Sequence, residues 1–216
     1  MITLSFPFAR ENMLYDEILL QRRERAFRFY KWGMRGITYP SGRPSDIIPN
    51  SSPRITGGGI VFHCPGDVVF GCVAPLDDPL FPKKLKDKMG FISDLISKNL
   101  DLSPSQSQHI SQDLNFCTTY HNPYELYSNG QKICGISLRK KRDFFIIQGI
   151  IHLQSQFVHF ADLPKSYRPY FTAGLNGTID AEAVIAALSA DLSLHQLLAT
   201  ADPATALSPH NKNQRG

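Results

Sequence analysis

Two short stretches of the chain concentrate residues able to bind or activate a ligand. In the first, three successive glycines, Gly57 to Gly59, lie between the permanent cation of Arg54 and the imidazole of His63. Glycines let a ligand lie against the backbone and leave N–H groups free for an anion or a carbonyl. A Walker loop and a dinucleotide-binding fingerprint are excluded, because no Gly-Lys-Ser/Thr follows and a strand, not a helix, comes next. A bend without a ligand, a surface arginine and a structural histidine stay open as alternatives.

The second stretch runs from Cys117 to Gly135. Lys132 follows a tight turn and precedes a strand, so a fixed backbone would project its ammonium, which can hold a phosphate or a carbonyl oxygen. Cys117 could act as a nucleophile if a neighbouring cation, His121 or Lys132, stabilises its thiolate. A solvated hairpin lysine and a small buried apolar cysteine are the alternatives. Cys134 is a rival thiol on the same strand face as Lys132, although we expect it in the core.

Composition and cysteine spacing exclude several classes of protein. The cysteines at 64, 72, 117 and 134 form no CxxC and no zinc pattern, which predicts free thiols, an intracellular protein and no metal site. Twenty-three Lys and Arg against nineteen Asp and Glu give a charge of +4, which suits an acidic protein partner but not nucleic acid. No stretch approaches the roughly 18 apolar residues of a membrane span, and the N-terminus is unlike a secretory signal. We therefore expect a cytoplasmic protein without membrane contact.

Apolar periodicity predicts the elements that must position these side chains. Helical spacing predicts a helix over Met13–Arg25 with Asn12 as its N-cap. It also predicts an amphipathic helix over Phe81–Leu100, whose lysines 83, 84, 86 and 88 we expect on a solvated face. Strands are predicted directly after Gly59 and at Ala26–Trp32, Val68–Ala74, Leu114–Cys117, Glu125–Ser128, Lys132–Leu138 and Phe144–Leu153.

Turn residues predict how these elements connect. Asn129-Gly130 is the strongest hairpin signal, and Gly66-Asp67 is a weaker one. The Gly- and Pro-rich stretch Gly33–Pro53 is predicted to be mostly loop. Two short C-terminal helices are predicted at Asp180–Leu188 and Ser193–Leu198, the second with a Ser193–Gln196 capping box. We predict an α+β fold, with a mixed, largely antiparallel sheet flanked by helices and a short C-terminal helical segment, as one domain over residues 1–200 followed by a disordered tail, 201–216.

Several motifs occur together in the order of one known family. RITGGGIVFH matches an arginine, a Thr or Ser, two glycines and an apolar strand ending in His; NGQKICG matches glycine, x, lysine, apolar, x, glycine. NMLYDEILL, FRFYKWGMRGITYPSG and IIQGII are similar to the family's opening helix, the strand after it and a later strand. The chain thus resembles the lipoate–biotin ligase superfamily, in its lipoate ligase and octanoyltransferase branch, over roughly residues 12–153.

Within that branch, one spacing favours the octanoyltransferases. Cysteine-type octanoyltransferases carry a cysteine nine residues before the leucine of a Tyr-Glu-Leu run, and Cys117 stands at this distance from Leu126. ATP-using lipoate ligases tend to show Arg-Asn-Asp before the lysine hairpin, where this chain has His121-Asn122-Pro123. The resemblance is therefore closest to the cysteine-type octanoyltransferases.

The resemblance implies a class II biotin/lipoate ligase-like fold and an acyl transfer. Cys117 and Lys132 would be catalytic: the thiolate would take an octanoyl group from acyl carrier protein, and the ammonium would stabilise the oxyanion. The acyl group would then pass to a lysine of a lipoyl domain, in the glycine cleavage H protein or in the acyltransferase subunit of a 2-oxoacid dehydrogenase. Substrate would be bound by Arg54, Gly57, Gly58, Gly59, His63, Gly135, Gln148 and Gly149.

Two other functions stay open. An ATP-dependent lipoate ligase would use ATP and magnesium, and Cys117 would have no chemical role in it. The transferase, in contrast, needs no cofactor. A non-catalytic member would only bind an acyl group or a lipoyl domain. Gln148 stands where the family has His, and Ile136-Ser137-Leu138 where it has Ser-Ala-Gln, which motivates the second possibility.

Overall fold

The computed structural model describes residues 2–104, 115–119, 122–175 and 179–201, with the side chains of 197–201 left out. Four α-helices occur in these ranges: α1 Ala9–Arg22, α2 Asp87–Leu100, α3 Gln156–His159 and α4 Ala181–Ala201. The strands are β1 Ala26–Lys31, β2 Gly36–Pro40, β3 Ser51–Arg54, β4 Val61–His63, β5 Val68–Pro75, β6 Ser103–Pro104, β7 Leu126–Ser128, β8 Gln131–Lys141 and β9 Phe144–Ile151. Short 3₁₀ helices lie at Cys117–Thr119 and Lys165–Tyr170.

Six strands form the larger sheet in the order β1-β5-β9-β8-β7-β6, and every neighbouring pair is antiparallel. One face of this sheet packs against α2 and α4 and holds the main hydrophobic core. The central strands β5 and β9 are apolar on both faces, because the opposite face is also covered. The predicted α+β class with helices flanking a largely antiparallel sheet is confirmed.

A second, three-stranded sheet has the order β3-β2-β4, with β2 parallel to β3 and antiparallel to β4. Strand β2 and all but the last residue of β3 lie inside the segment 33–53 that we expected to be mostly loop. Strand β4 faces the larger sheet across a small apolar cluster that includes Met13, Val61, Val69 and Ile150. The site described below lies between these two sheets.

A buried ion pair fixes α1 against the larger sheet. The Arg28 guanidinium is fully buried and lies 2.9 Å from the Asp16 carboxylate, and it also donates to Asn12 Oδ1. Burial raises the pKa of Asp16, although Arg28 opposes the shift. A Cβ on Gly71 would lie 2.9 Å from that carboxylate, so glycine leaves the room it occupies. Asn12 is thus an internal ligand of Arg28 and not the N-cap, since α1 begins three residues earlier, after Phe8.

The Gly66-Asp67 turn does not join a hairpin, because β4 and β5 belong to different sheets. The turn is held by the side chain of Asp67 and not by hydrogen bonds between paired strands. The Asp67 carboxylate accepts hydrogen bonds from the backbone N–H groups of Cys64, Leu153 and Gln154. The Asn129-Gly130 hairpin is confirmed between β7 and β8, where both residues have positive φ, as a two-residue primed turn requires.

α2 begins at Asp87, six residues after the predicted start at Phe81, and the helices and one strand differ from the sequence pattern in three further places. Lys88 is buried, not solvated: its ammonium donates to the carbonyls of Leu76 and Pro82, while lysines 83, 84 and 86 are exposed as predicted. The C-terminal segment is the single helix α4, in which Ser193 bonds the Ser189 carbonyl and caps nothing. Around Cys117, a single bridge at Phe116 and a 3₁₀ helix replace the predicted strand.

Residues 202–216, where a tail is predicted, lie outside the described residues, and so does most of the polar stretch before Asn115. None of the helices in the described ranges has the length and apolar character needed to cross a membrane.

Strand packing at Gly149 gives a test of this architecture. A Cβ there would lie 2.5 Å from the Gly135 carbonyl oxygen and would overlap the Phe70 ring. We expect Gly149→Ala to lower the free energy of unfolding by about 1–3 kcal/mol or more. Gly90→Ala is the matched control, because its Cβ would meet only Tyr124 at 3.5 Å inside α2; it should be neutral or stabilising. Urea unfolding measures both, and equal stability of the two variants would contradict this packing.

Candidate active site

A cavity of about 310 Å³ lies between the two sheets. One wall is apolar and consists of Met13, Val61, Val69 and Ile150, contributed by α1, β4, β5 and β9. The cavity is also lined by Gly57 and Gly58 of the glycine triplet and by residues 135–138 in the middle of β8. This combination of apolar walls and a few polar groups is typical of a small-molecule site.

The glycine triplet places Cys117 at this cavity. Cys117 N–H donates to the Ile60 carbonyl at 2.7 Å, and Ile60 N–H donates to the Asn115 carbonyl at 2.6 Å. A Cβ on Gly59 would lie 2.6 Å from the Cys117 nitrogen, so only glycine allows the two segments to run this close. The Cys117 thiol is half-buried and lines the cavity. The third glycine therefore serves chain packing, whereas Gly57 faces open space in the cavity.

Lys132 lies beside Cys117 and is buried, not solvated. Its Nζ donates to the Cys117 carbonyl oxygen at 2.7 Å and forms an ion pair with the Glu125 carboxylate. The Lys132 and Glu125 side chains are each only 3% exposed. The β7–β8 hairpin aims the lysine here, because Lys132 comes two residues after its Asn129-Gly130 turn.

Sulfur and lysine converge over Gly135. The position that a Cβ would take on Gly135 lies 3.0 Å from Cys117 Sγ and 3.5 Å from Lys132 Cε. Gly135 lines the cavity as well. The structure thus brings together both residues that we predicted to be catalytic, at one end of an apolar cavity and next to the glycine triplet.

The charges in this cluster depend on one another. Burial alone would lower the pKa of Lys132, but Cys117 and Glu125 beside it hold that pKa above its ordinary value. Burial raises the pKa of Glu125, and Lys132 opposes the shift. Cys134 is fully buried in the core as expected, and burial raises the pKa of its thiol far above the usual range. Cys134 is therefore a poor rival nucleophile.

Arg54 braces the glycine triplet. Its Nη2 donates to the Gly57 carbonyl at 2.7 Å and to the Gly59 carbonyl at 2.6 Å. The guanidinium also lines the cavity, next to Gly58, which has a φ of +94° that favours glycine. Part of its donor set is thus used to hold the loop that a substrate would contact.

His63 lines the cavity with a neutral imidazole. Its ring stacks on Trp32 with centroids 4.1 Å apart, and its Nε2 lies 2.9 Å from Thr38 Oγ1. Burial lowers its pKa well below the usual range, and the nearby His152 and Arg54 add to the effect. Its Nδ1 is buried and has no hydrogen-bond partner among the described residues.

Gln148 uses both ends of its amide within the protein. Its Oε1 accepts from Thr56 Oγ1 at 2.9 Å, and its Nε2 donates to Asp16 Oδ2 at 2.8 Å. It thereby connects the segment before the glycine triplet to the buried ion pair of α1. Gln148 and Gly149, which we predicted to bind substrate, both line the cavity.

Sequence reasoning missed Glu125 as a member of this cluster. It lies in the Tyr-Glu-Leu run that served only to position the cysteine, and its pairing with Lys132 requires the β7–β8 register to be known. His121, the other candidate cation, lies outside the described residues.

Residues 52–190 match the family of lipoyl protein ligase A/B catalytic domains. The chain belongs to this family. Membership makes it a catalytic domain of the lipoate ligase or octanoyltransferase type, as the motifs around Gly57–Gly59 and Lys132 had indicated. No curated protein matches the chain in sequence at a significant level.

Solved structures of this family have the same fold. A T. acidophilum protein described as a lipoate protein ligase, with bound lipoic acid, is 18% identical at a TM-score of 0.69, over 91% of this chain and 84% of its own. A lipoate-protein ligase A bound with ATP is 18% identical at 0.68, over the same shares. A bi-partite ligase from Thermoplasma acidophilum, studied with its E2 lipoyl domain, is 16% identical at 0.66, over 91% and 82%. At these identities the likeness shows the fold alone.

The close approach over Gly135 gives a second test. In Gly135→Ala, the new Cβ would stand 3.0 Å from Cys117 Sγ and displace the thiol from Lys132. We expect alkylation of Cys117 by iodoacetamide at neutral pH to slow by about tenfold, because sub-ångström misplacement of reacting groups is costly. Mass spectrometry of the Cys117 peptide measures the rate, and urea unfolding checks that the variant is folded. An unchanged rate in a folded variant would mean that the thiol is not held in this position.

Proposed function

We propose that the chain is an octanoyltransferase that carries the acyl group on Cys117, with residues 1–200 as its single catalytic domain. The observation that supports this most strongly is the meeting of the Cys117 thiol and the Lys132 ammonium at one end of an apolar cavity. A thiol beside a buried cation is the arrangement that favours a reactive thiolate. A member that only bound ligand would not need that pairing.

The reaction would proceed in two transfers. The Cys117 thiolate attacks the thioester carbonyl of octanoyl acyl carrier protein, and Lys132 donates a hydrogen bond to the oxyanion that develops. The carrier thiol leaves, and the octanoyl group stays as a thioester on Cys117. The lysine amine of a lipoyl domain then attacks this thioester, so an amide forms and the Cys117 thiol is released.

The cavity suits an unbranched acyl chain. Met13, Val61, Val69 and Ile150 would contact the methylene groups, and burying each CH₂ is worth about 0.8 kcal/mol. Its volume of about 310 Å³ is near the lower end for ligand pockets, roughly 300–1,000 Å³. The bare backbone at Gly57 and Gly58 leaves room for the part of the donor next to the thioester.

The proposed partners are acyl carrier protein as donor and a lipoyl domain as acceptor, of the kind found in glycine cleavage H protein or in the acyltransferase subunit of a 2-oxoacid dehydrogenase. The structural relative studied together with its E2 lipoyl domain supports the acceptor. The formal charge of +4 would speed encounters with acidic partners without changing the chemical step.

An ATP-dependent lipoate ligase is the second candidate, favoured by the relative bound with ATP and by the open face of Gly57. In this reading, ATP and magnesium would activate free lipoate as an adenylate. The Lys132 ammonium would have to bind a phosphate, yet it is already paired with Glu125 and with the Cys117 carbonyl. This pairing fits a phosphate less well than it fits a neighbouring thiol.

Mixing the chain with octanoyl-loaded acyl carrier protein tests the transferase. We expect the intact mass to increase by one octanoyl group, with the group located on the Cys117 peptide and lost from Cys117→Ala. Cys134→Ala is the matched control, because Cys134 is buried in the core and its variant should still be acylated. An adduct that persists in Cys117→Ala would contradict the proposal.

Two further assays identify the alternatives. Lipoate-dependent exchange between ATP and pyrophosphate, without an adduct on Cys117, would favour the ligase. Binding of a lipoyl domain or an acyl group without turnover in either assay would favour a non-catalytic member.

A further inference from the structure

The Glu125 carboxylate is the one member of the Cys117–Lys132 cluster to which the proposed reaction gives no role. It is 3% exposed, it pairs with Lys132 through Oε1, and its Oε2 accepts from the Asn122 N–H at 3.2 Å. Glu125 also lines the cavity. A buried carboxylate is costly unless it is paired, and the partner of Glu125 is the same ammonium that contacts Cys117, so the role of this carboxylate beside the nucleophile needs an explanation.

Four titratable groups face Glu125. They are Lys132 on β8, the Cys117 side chain, which hydrogen-bonds the same ammonium, Cys134 on β8, and the Tyr127 hydroxyl at 3.5 Å on β7. With the thiol protonated, Lys132 and Glu125 neutralise each other. If the Cys117 proton were lost to solvent, two anions would share one buried cation, and this excess charge would oppose thiolate formation.

We propose that Glu125 accepts the Cys117 proton through Lys132, so that the thiolate forms without any change in the net charge of the cluster. This inference rests on the proposed function, in which Cys117 is the nucleophile. Glu125 acts through Lys132 and touches no reacting atom, so it is a positioning residue that also stores a proton.

The proton transfer balances as follows. Cys117 gives its proton to Lys132 while Lys132 gives one of its own to Glu125, which leaves a thiolate, an ammonium and a neutral carboxylic acid. The thiolate forms the new C–S bond and the carrier's C–S bond breaks. The departing carrier thiolate takes a proton from Lys132, which recovers one from Glu125, so the carboxylate and the ammonium are restored.

The burial of the pair supports this route. Because the pKa of Lys132 is held above its ordinary value, Lys132 stays an ammonium and can take the thiol proton only by passing one of its own to Glu125. Because burial raises the pKa of Glu125, its carboxylate is a better acceptor than an exposed one. The ion pair between them supplies the path.

The proposal predicts two coupled titration steps at Cys117. Once Glu125 is ionised, the cluster can exchange the thiol proton internally, so a fraction of thiolate exists at a constant level over neutral pH. Loss of the second proton, at higher pH, produces the full thiolate against the Glu125 charge. In Glu125→Gln the amide can hold Lys132 but cannot take a proton, so a single step remains, below the upper step of the unmodified chain.

The experiment is the pH dependence of Cys117 alkylation by iodoacetamide, followed on the Cys117 peptide, for the unmodified chain, Glu125→Gln and Glu24→Gln. Glu24 is exposed and pairs with Arg22, so its variant is the matched control. We expect two steps in the unmodified chain and in Glu24→Gln. We expect one step in Glu125→Gln, about one pH unit below the upper step, because a like charge has been removed.

A single step in the unmodified chain would overturn the proposal without recourse to any variant, even if Glu125→Gln failed to fold. Two steps that persist in a folded Glu125→Gln would also overturn it. That result is the one expected if Glu125 had a purely structural role, because the pH dependence of alkylation would then be the same with and without its carboxylate. Acylation by octanoyl carrier protein is measured in parallel. Two-step alkylation without an octanoyl thioester on Cys117 would support the proton coupling and contradict the transferase. A thioester with one-step alkylation would support the transferase and contradict the proton coupling.

Discussion

The buried ion pair between Lys132 and Glu125 is the interaction that holds the cation of the site beside the thiol-bearing segment. It fixes the ammonium of the β7–β8 hairpin beside the Cys117 carbonyl, and so joins the edge of the larger sheet to the segment that carries the thiol. Removing one partner of such a pair leaves an uncompensated buried charge, which typically costs about 3–5 kcal/mol. The pair is therefore a stringent local constraint, and the charge of each member depends on the other.

Three glycines allow the neighbouring segments to approach closely enough for this arrangement, because a glycine has no Cβ. Gly59 allows the glycine loop to run against residues 116 and 117, Gly135 leaves room for the sulfur, and Gly149 leaves room for the Phe70 ring beside the paired strand β8. None of the three needs a positive φ; the requirement at each is space. The adjacent Gly57, with no atom near its missing Cβ, faces the cavity, so the triplet divides between packing and substrate access.

Local patterns in the sequence predicted much of the site and of the fold class. The family of the chain could be predicted from the order of its motifs. The spacing around Cys117 and Lys132 and the Asn129-Gly130 turn predicted that these two residues meet at one cavity. The division of strands between two sheets could not be read in the same way, because Gly66-Asp67 has the composition of a hairpin turn whichever sheet each strand joins. Its Asp67 side chain decides the matter, because it accepts hydrogen bonds from the Cys64 N–H in the same turn and from the distant N–H groups of Leu153 and Gln154.

Burial of charged residues was the other limit. Lys88 has the helical position of a surface residue, yet the carbonyls of Leu76 and Pro82 and the Phe145 ring enclose it. Arg28 lies in a strand rich in aromatic residues, and its charge is neutralised by the carboxylate of Asp16 in α1, twelve residues earlier. The charge of Glu125 is compensated by Lys132 on the paired strand β8. In each case the compensating group is distant in sequence or set by strand register, so no local pattern reveals it.

The most direct measurement of the central claim is a crystal structure of the chain after reaction with octanoyl-loaded acyl carrier protein. The account predicts electron density continuous from Cys117 Sγ into the cavity, with eight carbons against Met13, Val61 and Ile150 and the thioester oxygen within hydrogen-bond distance of Lys132. An acyl chain bound elsewhere, or a free carboxylate in the cavity with an unmodified Cys117, would contradict it.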